Sequence, residues 1–393
     1  MLLPWSIFWI FTAIVIGPLC FPTILSARDD GSSLSYAVDG SVTIEAMHFD
    51  SLEAYITSDY FKTTGKRCGT VRPDSLLQSH LLAAQDCTET ITSIRQEYWP
   101  ESVVYLIPVY VHVISKTDGT GDISDQRILS QIEVLNEDFR ALSGSLGSTG
   151  VDTHIQFELI AITRRSDDIW FQDQDEDGYK RELGVDPSRY LNIYTNTASG
   201  YLGYSYLPFT DAGTLLDGVT MLHDAIGGRD EGIAPYNQGR TLTHEIGHYL
   251  GLHHTFDSYG ALCGNGYDSG DLIVDTPAES EEHYGCTPST TCNSADPIDN
   301  YMNYTDDLCM ERFTGEQANR MVCALVNYRP LLYRTVVLGD LDQNNQVTLE
   351  DLILALKVVT NQSAFVDRDA DATRDRHIGL PDALYILDKV AAP

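Results

Sequence analysis

The chain has 393 residues, with 57 acidic against 25 basic side chains and a formal charge of −32 at pH 7. That length accommodates two or more domains and a sizeable core. Such acidity argues against a nucleic-acid partner, which needs a basic surface, and suits solubility and calcium capture.

The N-terminal 27 residues carry no charge; Ile7 to Gly17 form a short apolar run and Leu25-Ser26-Ala27 precedes Arg28. This reads as a secretory signal peptide over residues 1–27 and predicts a secreted, extracellular protein. A basic n-region is lacking, and Pro4, Pro18 and Pro22 argue against a membrane-spanning helix. No other apolar run is long enough to span a bilayer, so no membrane span is expected after signal removal. Export makes disulfides the default for cysteines. Cys20 leaves with the signal, and Cys68, Cys87, Cys263, Cys286, Cys292, Cys309 and Cys323 remain. An odd number leaves one thiol free or otherwise engaged.

Residues 28–100 are polar at the start and show no sustained apolar pattern before Leu76 to Ala84; they read as a pro-segment. Val103 to Ile114, rich in β-branched and aromatic residues, is predicted as a central strand opening the domain at 101–333. Ser124 to Arg140 carries Ile128, Ile132, Leu135 and Phe139 at helical spacing, behind the capping candidates Asp122 and Ser124. His154 to Ile162 and Leu191 to Thr195 follow as strands, giving an α/β arrangement. Between them, Asp173-x-Asp175-x-Asp177-Gly178 resembles the start of an EF-hand loop. Its twelfth position is Gly184, which favours a solvated acidic loop over a calcium site.

The most informative stretch is Thr241 to Thr255, Thr-Leu-Thr-His-Glu-Ile-Gly-His-Tyr-Leu-Gly-Leu-His-His-Thr. His244 and His248 lie four apart on one helical face and can share one metal ion. Glu245 sits beside that face, where its carboxylate can reach water at the metal without being a ligand. Gly251 can take φ > 0, stop the helix and let the chain turn back to deliver His254. Three imidazoles with an open fourth position make a catalytic zinc site. His253 is read as a residue behind the ligands or in the cleft. His112, His154, His223 and His283 have no ligand spacing and are read as surface or core residues.

Residues 334–393 hold an internal repeat. Asp340, Asp342, Asn344, Thr348 and Asp351 supply oxygens at positions 1, 3, 5, 9 and 12 of a calcium loop, with the backbone carbonyl of Gln346 at position 7. Thirty-one residues on, Asp371, Thr373, Asp375, His377 and Asp382 repeat the frame. Position 6 holds Asn345 and then Arg376, so the second loop is expected to bind calcium more weakly. Leu349, Ile353 and Leu356 map onto Leu380, Leu384 and Leu387, predicting two amphipathic helices that share a small core through these leucines. The module resembles a dockerin-type or EF-hand-like calcium unit, small and all-α. The resemblance implies a cohesin-like or surface partner.

Tyr190-Leu-Asn-Ile-Tyr, Gly200-Tyr-Leu-Gly-Tyr-Ser-Tyr-Leu-Pro, Leu216-Asp-Gly-Val, the histidine motif, Asp275-Thr-Pro and the run from Asn300 through Met302 and Tyr304 to Thr314 resemble the pappalysin family of metzincin metallopeptidases. The family implies an α+β catalytic domain, with a twisted mixed sheet over a zinc-site helix. It implies hydrolysis of protein or peptide substrates, with Glu245 as the base and Tyr304 near the oxyanion. Met302 would floor the three histidines, and the strand near Leu202 to Leu207 would receive an extended substrate. His254, rather than His253, fits the family spacing. The resemblance also suggests disulfides Cys263–Cys292 and Cys286–Cys309, and structural calcium in a loop that holds Asp257, Asp268, Asp271 and Asp275. Cys68, ahead of the catalytic domain, would be a fourth zinc ligand in a latent form, leaving Cys87–Cys323. The rival pairing is Cys68–Cys87 with Cys323 free. The expectation is thus a secreted zinc endopeptidase made as a zymogen. Its rival is a non-catalytic, calcium-dependent adhesion protein with a structural metal.

Overall fold

The computed structural model describes residues 33–70, 87, 98–99, 103–257, 261–267 and 269–391. The signal segment, Leu76 to Ala84 and Asp268 lie outside them. No described helix is long and apolar enough to cross a membrane.

The stretch read as a polar pro-segment is folded where it is described. Strands β1 (Ser35–Tyr36), β2 (Val42–Ile44) and β3 (Met47–Phe49) form an antiparallel meander, followed by short helices α1 (Leu52–Ile56) and α2 (Asp59–Thr63). Ser51 and Ser58 cap the two helices by accepting from Ala54 N and Phe61 N. Leu34, Val42, Ile44, Tyr55, Ile56 and Phe61 are buried in one cluster with Ala198, Leu202, Tyr204 and Leu222. These apolar residues are spread over elements of two to five residues, too short to show a period.

The main body alternates strand and helix. Strand β4 (Val103–Ser115) leads to helix α3 (Asp125–Phe139), whose Ser124 cap accepts from Arg127 N, and then to β5 (Ile155–Ser166). Helices α4 (Asp168–Phe171) and α5 (Glu176–Leu183) precede β6 (Leu191–Asn196), β7 (Gly203–Ser205), α6 (Pro208–Asp211) and β8 (Val219–Leu222). The sheet runs β5-β4-β6-β8-β7. All pairs on that path are parallel except the edge strand β7, which is antiparallel to β8. Helix α7 (Arg240–Tyr249), buried at every residue, lies under this sheet, and α8 (Gly315–Tyr328) supports it from behind. Both contribute to the main core, with Leu242, Ile246, Met321 and Val322 meeting Val109, Val111 and Ile193.

The Asp173 loop is not simply solvated, because its first carboxylate turns inward. Asp173 accepts from Tyr179 Oη at 2.9 Å, Tyr204 Oη at 3.0 Å, Ser199 Oγ at 2.7 Å and Asn196 Nδ2 at 2.9 Å, while Asp175 caps α5. The carboxylate therefore braces the back of β7.

Strand β9 (Arg334–Val337) joins β4 antiparallel and leads into the C-terminal module, with helices α9 (Leu349–Val359) and α10 (Leu380–Ala391). The repeat is evident in the two loops. Asp340, Asp342 and Asp351 converge in the first, Asp371, Asp375 and Asp382 in the second, and Asn345 and Arg376 both take positive φ. The expected shared leucine core is corrected. Leu349, Ile353, Leu356, Leu380, Leu384 and Leu387 are all between 41% and 58% exposed. The helices instead turn Ala355, Ala383 and Ile386 inward, onto Val104 and Leu106 of β4 and Val336 of β9. The end of the main sheet supplies the core that two short helices alone cannot. Ion pairs reinforce the seam: Arg374 with Asp152 at 3.6 Å, Arg334 with Asp369 at 3.0 Å, and Arg376 with Glu137.

Candidate active site

Helix α7 begins at Gly239, whose φ of +83° is natural only for glycine. Asp307 accepts from Gln238 N at 2.9 Å and Arg240 N at 3.1 Å, holding the first turn. Asp138 of α3 takes Arg240 Nη2 at 3.1 Å and Thr243 Oγ1 at 2.7 Å. The helix ends as its sequence predicts: Gly251 has φ of +92°, its N–H donates to His248 O, and Leu252 N returns to Gly247 O. Arg320 Nε donates to Gly251 O at 2.7 Å and secures the turn.

This reversal brings His254 back to His244 and His248. His248 Nε2 lies 3.1 Å from His244 Nε2 and 3.0 Å from His254 Nε2. On the outer side, His244 Nδ1 donates to Tyr301 O at 2.7 Å and His248 Nδ1 to Leu252 O at 2.8 Å. Those bonds put the protons on Nδ1 and leave the Nε2 lone pairs facing one another. Burial and mutual proximity also hold His244 and His248 well below the usual imidazole range. Buried lone pairs that converge without protons need a cation between them. The nitrogen separations suit tetrahedral zinc, for which bonds of about 2.0–2.1 Å span edges of roughly 3.3 Å. Asp257 accepts from His254 N at 3.1 Å and lies 3.5 Å from its Nδ1, where it orients the ring. His253 is buried apart from the trio, against Phe209.

Met302 is fully buried and packs on α7 at Gly247. Gly247 permits its approach, since a Cβ there would stand 2.4 Å from Met302 Sδ. Tyr304 follows, its ring centroid 4.8 Å from that of His254. Glu245 is completely buried, and burial raises its pKa above the usual carboxylate range. It packs against β7 at Gly203, where a Cβ would lie 2.9 Å from Glu245 Cγ.

Cys68 completes the cluster. It is the free cysteine among the described residues, and its sulfur and the three imidazole nitrogens lie within 4.8 Å of one another. Without a cation, burial and the Glu245 carboxylate push its thiol upward. The disulfides are Cys87–Cys323, Cys263–Cys292 and Cys286–Cys309. The Cys68–Cys87 alternative is therefore excluded.

The segment around Cys68 fills the cleft along β7. Leu202 N donates to Lys66 O at 3.2 Å, Gly69 N to Gly203 O at 2.9 Å, and Ser205 N to Thr70 Oγ1 at 2.9 Å. Thr70 Oγ1 also donates to Glu245 Oε2 at 3.0 Å. Arg67 enters a closed pocket, where its guanidinium stands 4.8 Å from the Tyr236 ring centroid and 3.8 Å from Asp307 Oδ1.

The sequence marks Cys68 but carries no comparable signal at Thr70, Asp307 or Glu279. Contiguity in Arg67-Cys68-Gly69-Thr70 was an available signal for Thr70; the acids became legible only once the chain was folded. Of the loop acids, Asp275 accepts from Glu316 N at the start of α8, and the buried Asp271 accepts, among the described residues, from Ile273 N through Oδ1 alone.

The family described as Peptidase_M43, pregnancy-associated plasma protein-A, matches residues 180–326. An extracellular metalloprotease of Colletotrichum graminicola is 38% identical over 234 residues, spanning 57% of this chain and 77% of its own. One from Verticillium alfalfae is 38% identical over 275 residues, spanning 67% and 91%. Among solved structures, a Tannerella forsythia promirolysin E225A mutant superposes with a TM-score of 0.51 at 31% identity, covering 61% of this chain and 86% of that one. With an ordered histidine trio, a buried glutamate and relatives covered over most of their length, the chain belongs to the Peptidase_M43, pappalysin-type family of metallopeptidases.

Proposed function

We propose that the protein is a secreted zinc endopeptidase made as a latent precursor, with His244, His248 and His254 as zinc ligands and Cys68 as the fourth ligand of the latent form. The observation that carries this reading is the convergence of three imidazole nitrogens on one point, those of His244 and His248 proton-free, with Glu245 beside it and Cys68 above it. Zinc, when bound, polarises the scissile carbonyl and acidifies the attacking water. Glu245 takes the proton from that water and later delivers it to the leaving amine; its raised pKa suits both transfers. Tyr304 donates its hydroxyl to the developing oxyanion. The edge strand β7 binds the substrate backbone once residues 66–70 have left it.

Arg67 supports a substrate class. It presents a basic side chain to Asp307 from the position next to Cys68, and both groups are fully buried. Removing residues 66–70 takes this cation from Asp307 Oδ1 and opens its place to a basic side chain of the substrate. The favoured substrates are therefore peptides with arginine or lysine beside the scissile bond.

The boundaries proposed for the units are 1–27 for the signal, 28–100 for the pro-segment, 101–333 for the catalytic domain and 334–393 for the module. In the module we assign calcium to the loops headed by Asp340 and Asp371, supported by their converging carboxylates. The exposed leucine rows of α9 and α10 support a cohesin-like or surface partner.

Zinc content tests the ligand set. His254→Ala is expected to lose the bound zinc and His253→Ala to keep about one equivalent; the reverse pattern overturns the assignment.

A further inference from the structure

The chain between the third histidine and the Met302 turn makes a long excursion, stapled by Cys263–Cys292. Glu279 lies within it and is only 3% exposed. Its Oε2 accepts from Thr255 Oγ1 at 2.7 Å, and Asn303 Nδ2 donates to Oε1 at 3.0 Å and Oε2 at 2.9 Å. The Asn303 amide has one available orientation, because its Oδ1 accepts from Tyr304 N at 2.7 Å. The same nitrogen also reaches Pro297 O at 3.3 Å.

The two partners define what this carboxylate does. Thr255 directly follows His254, and Asn303 stands between Met302 and Tyr304. A backbone bond from Thr255 N to Met302 O at 3.2 Å joins the same two segments. Glu279 thus bridges the arm carrying His254 to the turn carrying Met302 and Tyr304. Among the described residues no lysine or arginine pairs with it, and the nearby charges of Asp296 and Glu282 are of its own sign. Burying such a group has a cost that an apolar side chain of similar size would avoid.

We propose that Glu279 is a positioning residue that fixes His254 and Tyr304 relative to one another, so that metal affinity and turnover depend on it. This rests on the reading of His254 as a zinc ligand. The geometry demands a double acceptor, since both Asn303 Nδ2 and Thr255 Oγ1 donate to it. A glutamine offers one acceptor oxygen and turns a second donor toward the Asn303 amide.

The test uses the processed enzyme in four forms: wild type, Glu279→Ala, Glu279→Gln and His254→Ala. Zinc affinity is measured by chelator competition, kcat and KM on one peptide, and the visible absorption of the cobalt-substituted protein. Glu279→Ala is expected to weaken zinc binding about 10- to 100-fold, to lower kcat with KM within about twofold, and to shift the cobalt bands. Glu279→Gln should fall between it and wild type. If Glu279→Ala fails to fold, Glu279→Gln and Thr255→Val carry the comparison, with smaller effects in the same direction. Unchanged zinc affinity in His254→Ala overturns the ligand reading. Loss of zinc in His254→Ala, with affinity, kcat and cobalt bands unchanged in the Glu279 variants, overturns the positioning role alone.

Discussion

Arg67 and Asp307 face each other at 3.8 Å with neither side chain exposed to solvent. A charge pair so enclosed is stable only while both partners remain. Asp307 Oδ2 is already committed to the backbone of α7, whereas Oδ1 has no hydrogen bond among the described residues and faces Arg67.

In the processed enzyme, Asp307→Asn is therefore expected to lower kcat/KM for peptides with arginine beside the scissile bond by about 10- to 100-fold. Peptides with a neutral residue there should change little, since asparagine retains an oxygen to cap Gln238 or Arg240. Equal losses on both peptides would remove Asp307 from specificity and leave it a role only in folding.

The second prediction concerns latency. Cys68→Ala in the unprocessed protein removes the thiol from the histidine cluster but leaves Arg67 and Thr70 in the cleft. Peptide hydrolysis should appear without proteolytic processing and exceed that of the unprocessed wild type by at least tenfold. Latency equal to wild type would assign inhibition to the strand-like contacts of residues 66–70 alone.

Gly247 should tolerate no larger residue. Gly247→Ala brings a methyl within 2.4 Å of Met302 Sδ, in a core that cannot yield freely. The expected cost is about 1–3 kcal/mol in chemical unfolding, with weakened zinc binding. Stability within a few tenths of a kcal/mol of wild type would mean that Met302 is free to move away.

Calcium should stabilise the module and, through β9 and β4, the catalytic sheet. A calcium-selective chelator is expected to lower Tm, by roughly 2–4 °C for each kcal/mol lost. Asp351→Asn with Asp382→Asn should abolish the response, because both carboxylates close their loops. A chelator effect of undiminished size in the double variant would place the responsive ion elsewhere.

The stability contribution of Glu279 has a definite sign with pH. Burial raises its pKa from 4.5 to about 7. The unfolded chain gives up this proton first, so the group favours the fold below pH 4.5 and loses that contribution as pH rises through about 7. Glu279→Gln does not titrate. Its Tm difference from wild type, measured on metal-free protein, should shift in favour of the variant between pH 5 and pH 8. A difference independent of pH would contradict the assignment.

Local features of the chain were legible and long-range ones were not. Strands β4 and β6, helix α3 with its Ser124 cap and the reversal at Gly251 follow from spacing and chain stiffness within a few residues. The folded core of residues 34–61 escaped because its apolar residues sit on very short elements and find partners near Leu202 and Leu222. The leucine repeat of α9 and α10 revealed amphipathic helices but not the buried face, which the end of β4 decides. Asp307 and Glu279 are ordinary acids in sequence; distant backbone and side-chain groups give them their roles.

The proposed mechanism requires Glu245 to be the base of a zinc-dependent peptide hydrolysis. Its most direct test is cleavage of a mixed peptide library by processed wild type and Glu245→Ala, each shown to hold one zinc. The expected result is hydrolysis by wild type, abolished by a zinc chelator, and loss of at least about a thousandfold in the zinc-loaded variant. Cleavage by Glu245→Ala at the wild-type rate would contradict it.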